Sequence, residues 1–170
     1  GFVIAPTNDR IAFLQDVKYR KTTAETYPGL PLANARLYND LMFRHWKTWD
    51  DGHDSNVFTV EYKNATLYGD PVNIVNEPVE APVEPNDGIE QVSFSPDGKM
   101  IAYSCKKYSG KEYALNTNTD IFLYDIQAKS TRNLSGFNTG YDKSPVFSPD
   151  GNSLLWNAML TPTYEADKNQ

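Results

Sequence analysis

A single cysteine, Cys105, stands in 170 residues, which excludes an internal disulfide and any metal cluster built on cysteines. It continues the apolar stretch at residues 100–103 and is expected to be a buried structural thiol, despite Lys106 and Lys107 beside it. Long apolar runs are missing as well: residues 121–124 and 154–156 fall far short of the roughly 20 residues a membrane helix needs. No leader-like segment opens the chain, so a soluble chain with no membrane partner is expected. Basic charge is scarce. Sixteen Lys and Arg against 22 Asp and Glu leave a net charge of -6, and with no basic patch to override that field, no nucleic-acid partner is expected.

What the chain does have is apolar residues at 39%, aromatics at 13%, and eleven Pro and ten Gly among many Asn, Asp and Ser. This composition can pack a core, and it favours short strands joined by turns over long helices. An internal repeat then fixes the architecture. Residues 94–104 read Phe-Ser-Pro-Asp-Gly-Lys-Met-Ile-Ala-Tyr-Ser, and residues 147–157 read Phe-Ser-Pro-Asp-Gly-Asn-Ser-Leu-Leu-Trp-Asn. A weaker copy at residues 4–13 aligns on 94–103 without gaps. Pro presets the first corner, Asp accepts from backbone amides ahead of it, and Gly takes positive φ, so each copy predicts a tight hairpin between two short strands.

After the second copy, residues 121–126 predict a third strand, 127–130 a polar turn and 131–134 a fourth strand. Residues 56–61 align on 120–125, so the upstream repeat ends the same way. Four antiparallel strands per repeat make a propeller blade. The fold class expected is all-β: a partial β-propeller of two four-stranded antiparallel blades plus part of a third. The expected boundaries are 1–78 for a blade with a long hairpin insertion at about 20–54, 79–136 for a second blade, and 137–170 for an incomplete third. Within the insertion a Pro/Gly turn falls at residues 27–31 and a short helix is expected at 33–41. The acidic, proline-rich stretch 76–85 cannot sit inside a sheet ladder and is expected to connect blades.

With these repeats in hand, the chain resembles the propeller domain of prolyl-oligopeptidase-family serine peptidases, in the dipeptidyl-peptidase and acylaminoacyl-peptidase branch. The Pro-Asp-Gly hairpins alone say only propeller repeat. More particular are Arg-His-Trp-Lys-Thr-Trp-Asp-Asp-Gly at 44–52, Asn-Thr-Asn-Thr-Asp-Ile at 116–121, Gly-Tyr-Asp at 140–142 leading to Ser-Pro-Val-Phe at 144–147, and Tyr-Glu-Ala-Asp-Lys at 164–168. The resemblance implies a parent serine exopeptidase or oligopeptidase whose propeller gates and helps bind short peptide substrates. It also implies a partner α/β-hydrolase domain in the parent chain that carries the catalysis. No Gly-x-Ser-x-Gly elbow occurs here, so no catalytic residue, cofactor or metal is assigned to this chain, which by itself is expected to be inactive. The alternative is a Tol-like or WD-like propeller acting as a protein-binding scaffold. The compartment stays open between a periplasmic or secreted and a cytoplasmic one, and two to three blades that cannot close a ring are expected to self-associate.

Candidate site residues lie in the insertion and near the last residues. Trp46, Trp49 and Asp50 could receive the ammonium of a peptide N-terminus by ion pairing and cation-π contact, against the plainer reading that the indoles pack the hairpin and Asp50 is solvated. Glu165 could hold the same amine from a matching blade position, its plainer reading being a solvated acid. Asp50, Asp51, His53 and Asp54 around Gly52 read as a hairpin tip rather than a cation loop. His53-Asp54-Ser55 does not make a triad, because extended neighbours point to opposite faces. Two glycosylation-type sequons, at 64–66 and 133–135, are short enough to arise by chance.

Overall fold

The computed structural model describes residues 1–32, 34–45, 47–83, 87–163 and 168. The first repeat builds β1 (Phe2–Ile4) and β2 (Arg10–Lys18), then a one-turn helix α1 (Thr23–Thr26) and a two-residue ladder of β3 (Arg44–His45) with β4 (Thr48–Trp49). It closes with β5 (His53–Lys63) and β6 (Thr66–Asn73). The second repeat gives β7 (Val92–Phe94), β8 (Met100–Cys105), a short helix α2 (Gly110–Leu115), β9 (Asp120–Asp125) and β10 (Ser130–Asn133). A third hairpin pairs β11 (Asp142–Phe147) with β12 (Leu154–Ala158).

The chain is thus nearly all β, with two four-stranded sheets ordered β1-β2-β5-β6 and β7-β8-β9-β10, every pairing antiparallel. Each sheet is a meander whose neighbours follow chain order, the pattern of a propeller blade. The outermost strand of each is exposed nearly throughout, whereas β9 is buried on both faces. That burial follows from stacking. One core joins Ala12 and Val57 of the first sheet to Val92, Phe94, Ile101, Tyr103, Phe122 and Tyr124 of the second, and β11 packs on β7, β8 and β9. Val57, Ile101 and Ile121 have no exposed surface; burying each contributes about 1.5–3 kcal/mol.

The hairpin turns of successive repeats lie against one another. Gly98, at φ +71°, is packed so closely on the Thr7 hydroxyl that a methyl group there would clash, and a methyl on Gly151 would lie 3.5 Å from Pro96. Equivalent turns of successive repeats therefore touch in series, and β1 touches β7 in the same sense. Strands and turns fall where the repeats predict them. The helix expected at 33–41 does not form over residues 34–41, which are irregular. Helix forms earlier instead, at α1, where Thr22 and Glu25 make a reciprocal capping box. Among the described residues of the connecting stretch 76–85, Glu80 alone makes a bridge, to Lys106.

Strand alternation separates two ends of the molecule. At one end are only the tight turns 5–9, 64–65, 95–99, 126–129 and 148–153; at the other gather the long connections 19–52, 74–91, 106–119 and 134–141. Among the described residues no helix is long and apolar enough to cross a membrane.

Candidate functional site

The long-connection end carries an ion-pair hub where the insertion leaves and rejoins the first sheet. β2 and β5 pair as far as Lys18 opposite His53, and the amides of Tyr19 and Arg20 donate to the Gly52 carbonyl at 2.9 and 3.1 Å. A Cβ on Gly52, at φ +86°, would run into the Arg20 carbonyl, so this close approach needs glycine. Arg20 then grips Asp54 with both arms, Nη1 to Oδ2 at 2.7 Å and Nη2 to Oδ1 at 3.0 Å, and reaches Asp50 Oδ1 at 3.1 Å. Hydrogen bonding to Asp54 raises the guanidinium pKa further above its ordinary value, with Asp50 adding to it.

Asp50 is half of the expected anchor. Its Oδ1 accepts from Arg20 and from the Gly52 amide at 2.8 Å, while Oδ2 accepts nothing from the described residues. Its backbone is fixed too: the amide donates to the Phe43 carbonyl at 3.0 Å, and the Tyr38 hydroxyl donates to its carbonyl at 2.8 Å. Trp49 stands next to it, 40% exposed, with its ring centroid 6.2 Å from those of both Tyr38 and Phe43. The guanidinium carbons of Arg36 and Arg44 lie 5.4 and 5.2 Å from the same ring. Trp49 therefore both packs the hairpin and carries two cations. Trp46 and Glu165 lie outside the described residues.

The remaining polar residues near the tip are paired internally. His53 Nδ1 lies 2.9 Å from Asp51 Oδ1; burial pushes the Asp51 carboxyl up, but the His53 side chain and amide outweigh it and hold the carboxyl below its usual value. Asp54 belongs to Arg20; the exception is the buried Ser55 hydroxyl, which has no partner among the described residues. His53, Asp54 and Ser55 form no hydrogen-bonded series. Further in, Asn56 Oδ1 accepts from the Tyr19 hydroxyl at 2.8 Å and from Asn73 Nδ2 at 2.9 Å, a buried polar knot that ties the insertion's root to the outer strand.

Two cavities flank this end. One, of about 280 Å³, is apolar and lies between α1 and the loop after it, lined by Thr23, Ala24, Tyr27, Leu30, Ala35 and Leu37. The other, of about 270 Å³, is polar and sits at the ends of β8, β9 and β10, between Lys107, Tyr108, Asn118 and Asp120. Cys105 lines the latter, only 1% exposed, with burial pushing its thiol up to about 12, as expected of a structural cysteine. Of the sequons, Asn64 is exposed on the β5–β6 turn, whereas Ser135 is completely buried and Asn133 donates to Asp120 Oδ2 at 2.7 Å.

Sequence reasoning missed Arg20, Arg36, Tyr38 and Arg44. Their partners are 5 to 34 positions away, and although Arg44 opens the 44–52 motif, nothing local marks its contact with Trp49.

No protein-family model matches the chain. Individual relatives do. Dipeptidyl-peptidase 5 of Porphyromonas gingivalis is 38% identical over 167 residues, 98% of this chain and 24% of that protein. Dipeptidyl-peptidase 5 of Schizosaccharomyces pombe is 31% identical over 151 residues, covering 81% of this chain and 21% of its own length. The chain thus spans about a quarter of the length of these relatives. Among solved structures, TolB of Acinetobacter baumannii aligns over the whole chain and 31% of its own, at 12% identity and a TM-score of 0.45.

Proposed function

Given that this chain is homologous to about a quarter of dipeptidyl-peptidase 5, we propose that it is the non-catalytic propeller segment of a serine exopeptidase of the prolyl-oligopeptidase family. In this reading the long-connection end gates the approach of short peptides and binds their N-termini. An α/β-hydrolase domain elsewhere in the parent chain supplies the nucleophile, its base and the oxyanion hole.

The observation that carries the binding role is Asp50. Arg20 and the Gly52 amide hold one carboxylate oxygen, which orients the group, while Oδ2 has no donor among the described residues. An ammonium arriving at Oδ2 makes a charge-assisted hydrogen bond with a group that has little freedom left to lose. Trp49 forms the adjoining wall, and the same role is proposed for Trp46 and Glu165. The gating role is supported by the segregation of every long connection to one end. As an isolated chain, the segment self-associates through its uncovered sheet faces.

Two measurements on the full-length parent test this. A fluorophosphonate probe is expected to label one serine outside these 170 residues; folded parent that takes no label would point instead to a binding scaffold. Asp50→Asn in the parent is expected to raise KM for dipeptidyl-amide substrates by about tenfold, the loss of one charge-assisted contact. An unchanged KM removes the anchor role.

A further inference from the structure

We propose that Arg36 and Arg44 form a receptor for the free C-terminal carboxylate of a short peptide, so that the insertion holds such a peptide by both ends. This rests on the reading of Asp50 as the amine anchor, and it names the substrate class for that site: peptides of a few residues with a free carboxyl terminus.

The two guanidiniums differ from those of Arg10 and Arg20, which are engaged by carboxylates. Arg10 reaches Glu61 at 3.4 Å and Arg20 is saturated by Asp50 and Asp54. Among the described residues, Arg36 and Arg44 have no carboxylate partner; each instead lies over the Trp49 ring, at 5.4 and 5.2 Å, and is exposed to solvent. Contact with an aromatic face leaves the N–H fork free, and that fork matches a carboxylate bidentately. Arg44 is placed beforehand by the sheet. It is the cross-strand partner of Trp49 in the β3–β4 ladder, and the Tyr38 and Phe43 rings lie near-parallel to the indole, at interplanar angles of 16° and 27°. Little rotamer freedom remains to be lost when an anion arrives.

The anion should be small. The chain carries a net charge of -6, so an extended phosphate backbone meets a repulsive field, whereas one carboxylate needs only the local pair. The amine-binding oxygen belongs to the next residue, Asp50, with consecutive Cα atoms 3.8 Å apart. Adding the reach of the side chains separates the two charge sites by on the order of 10 Å, about three extended residues. Opposite charges at that spacing complement a tripeptide zwitterion.

Titrating the 170-residue chain with tri-alanine, its C-terminal amide and its N-acetyl derivative, followed by NMR shifts of the arginine Hε and indole protons, tests this. The amide is expected to bind about tenfold more weakly than the free peptide, the loss of a charge-assisted pair. The doubly substituted chain R36Q/R44Q, its fold checked by circular dichroism, is expected to lose the same factor for the free peptide and nothing further for the amide. Equal affinity for free peptide and amide, unchanged binding by R36Q/R44Q, absence of binding by all three peptides, or tighter binding of oligothymidylate would each overturn the proposal. If instead acetylation of the amine changes nothing while amidation weakens binding, the Asp50 reading fails and the carboxylate receptor stands.

Discussion

At the scale of single residues, the insertion hangs on Arg20. Asp54 has only 9% of its side chain exposed, and Arg20 is its sole charged partner among the described residues. Removing the guanidinium leaves a carboxylate with little water and no counter-ion, a costly state. Arg20 itself is 44% exposed, so solvent screens part of the pairing and the loss falls below that of a fully buried pair. Arg20→Met is expected to destabilise the chain by about 1–2 kcal/mol in urea unfolding. Arg20→Met combined with Asp54→Asn should recover much of that, because the stranded charge is gone. Equal stabilities for the single and double variants would mean that Asp54 is hydrated in the native chain.

At the scale of elements, the Ser-Pro-Asp-Gly hairpins are held by a carboxylate that the turn itself keeps ionised. Asp150 accepts from the Ser148 hydroxyl and from the Asn152 amide, the former lowering its pKa most, to about 2. Asp97 is lowered likewise by Ser95 and the Lys99 amide. A depressed carboxyl stabilises the native chain above its unfolded pKa, near 4, and that contribution is lost as pH falls through the folded value. The hairpins should therefore loosen between about pH 4 and 2. Ser148→Ala is expected to move the Asp150 titration, followed by carboxyl carbon shifts, back toward the ordinary range; an unmoved titration would mean the backbone amides alone hold it down. Asp142, fully buried at the start of β11, runs the opposite way, since burial raises its pKa.

The same hairpins are what made the fold legible in the sequence, because Pro, Asp and Gly act within four residues of one another and the motif recurs at 94–98 and 147–151. The helices were not legible to the same degree. A helix is expected at 33–41, yet the Thr22–Glu25 capping box draws the helix to 23–26, and its sequence signature is present to be read. Of the candidate site, Trp49 and Asp50 could be picked out by residue type, whereas Arg20 and Tyr38 become neighbours only when β2 and β5 pair and the loop between them folds back.

At the scale of the whole molecule, the stacking that buries β9 leaves two outer faces without a neighbour among the described residues. On the first sheet, Val3, Ala12 and Leu14 point to the core, so the alternate residues point away from it. These form cross-strand rows of Phe2, Phe13 and Phe58, and of Ile4, Ile11 and Val60. Phe2 is 64% exposed at the rim of that face. On the far side, Val146 and Leu155 are cross-strand partners exposed by 58% and 71%, and β12 has no partner on its outer edge among the described residues. Apolar faces and open edges of this kind drive association. Because the two faces differ and lie on opposite sides, any contact between copies through them is expected to be head-to-tail and not to close on itself, so species should grow with concentration rather than stop at a dimer. Sedimentation velocity is expected to show a weight-average coefficient that rises steadily with loading. Leu155→Lys, on a side chain too exposed to hold the hairpin together, should suppress the rise without altering the circular dichroism spectrum. A single monomeric boundary at the highest attainable concentration would mean that the two faces are covered in solution by packing other than that described here.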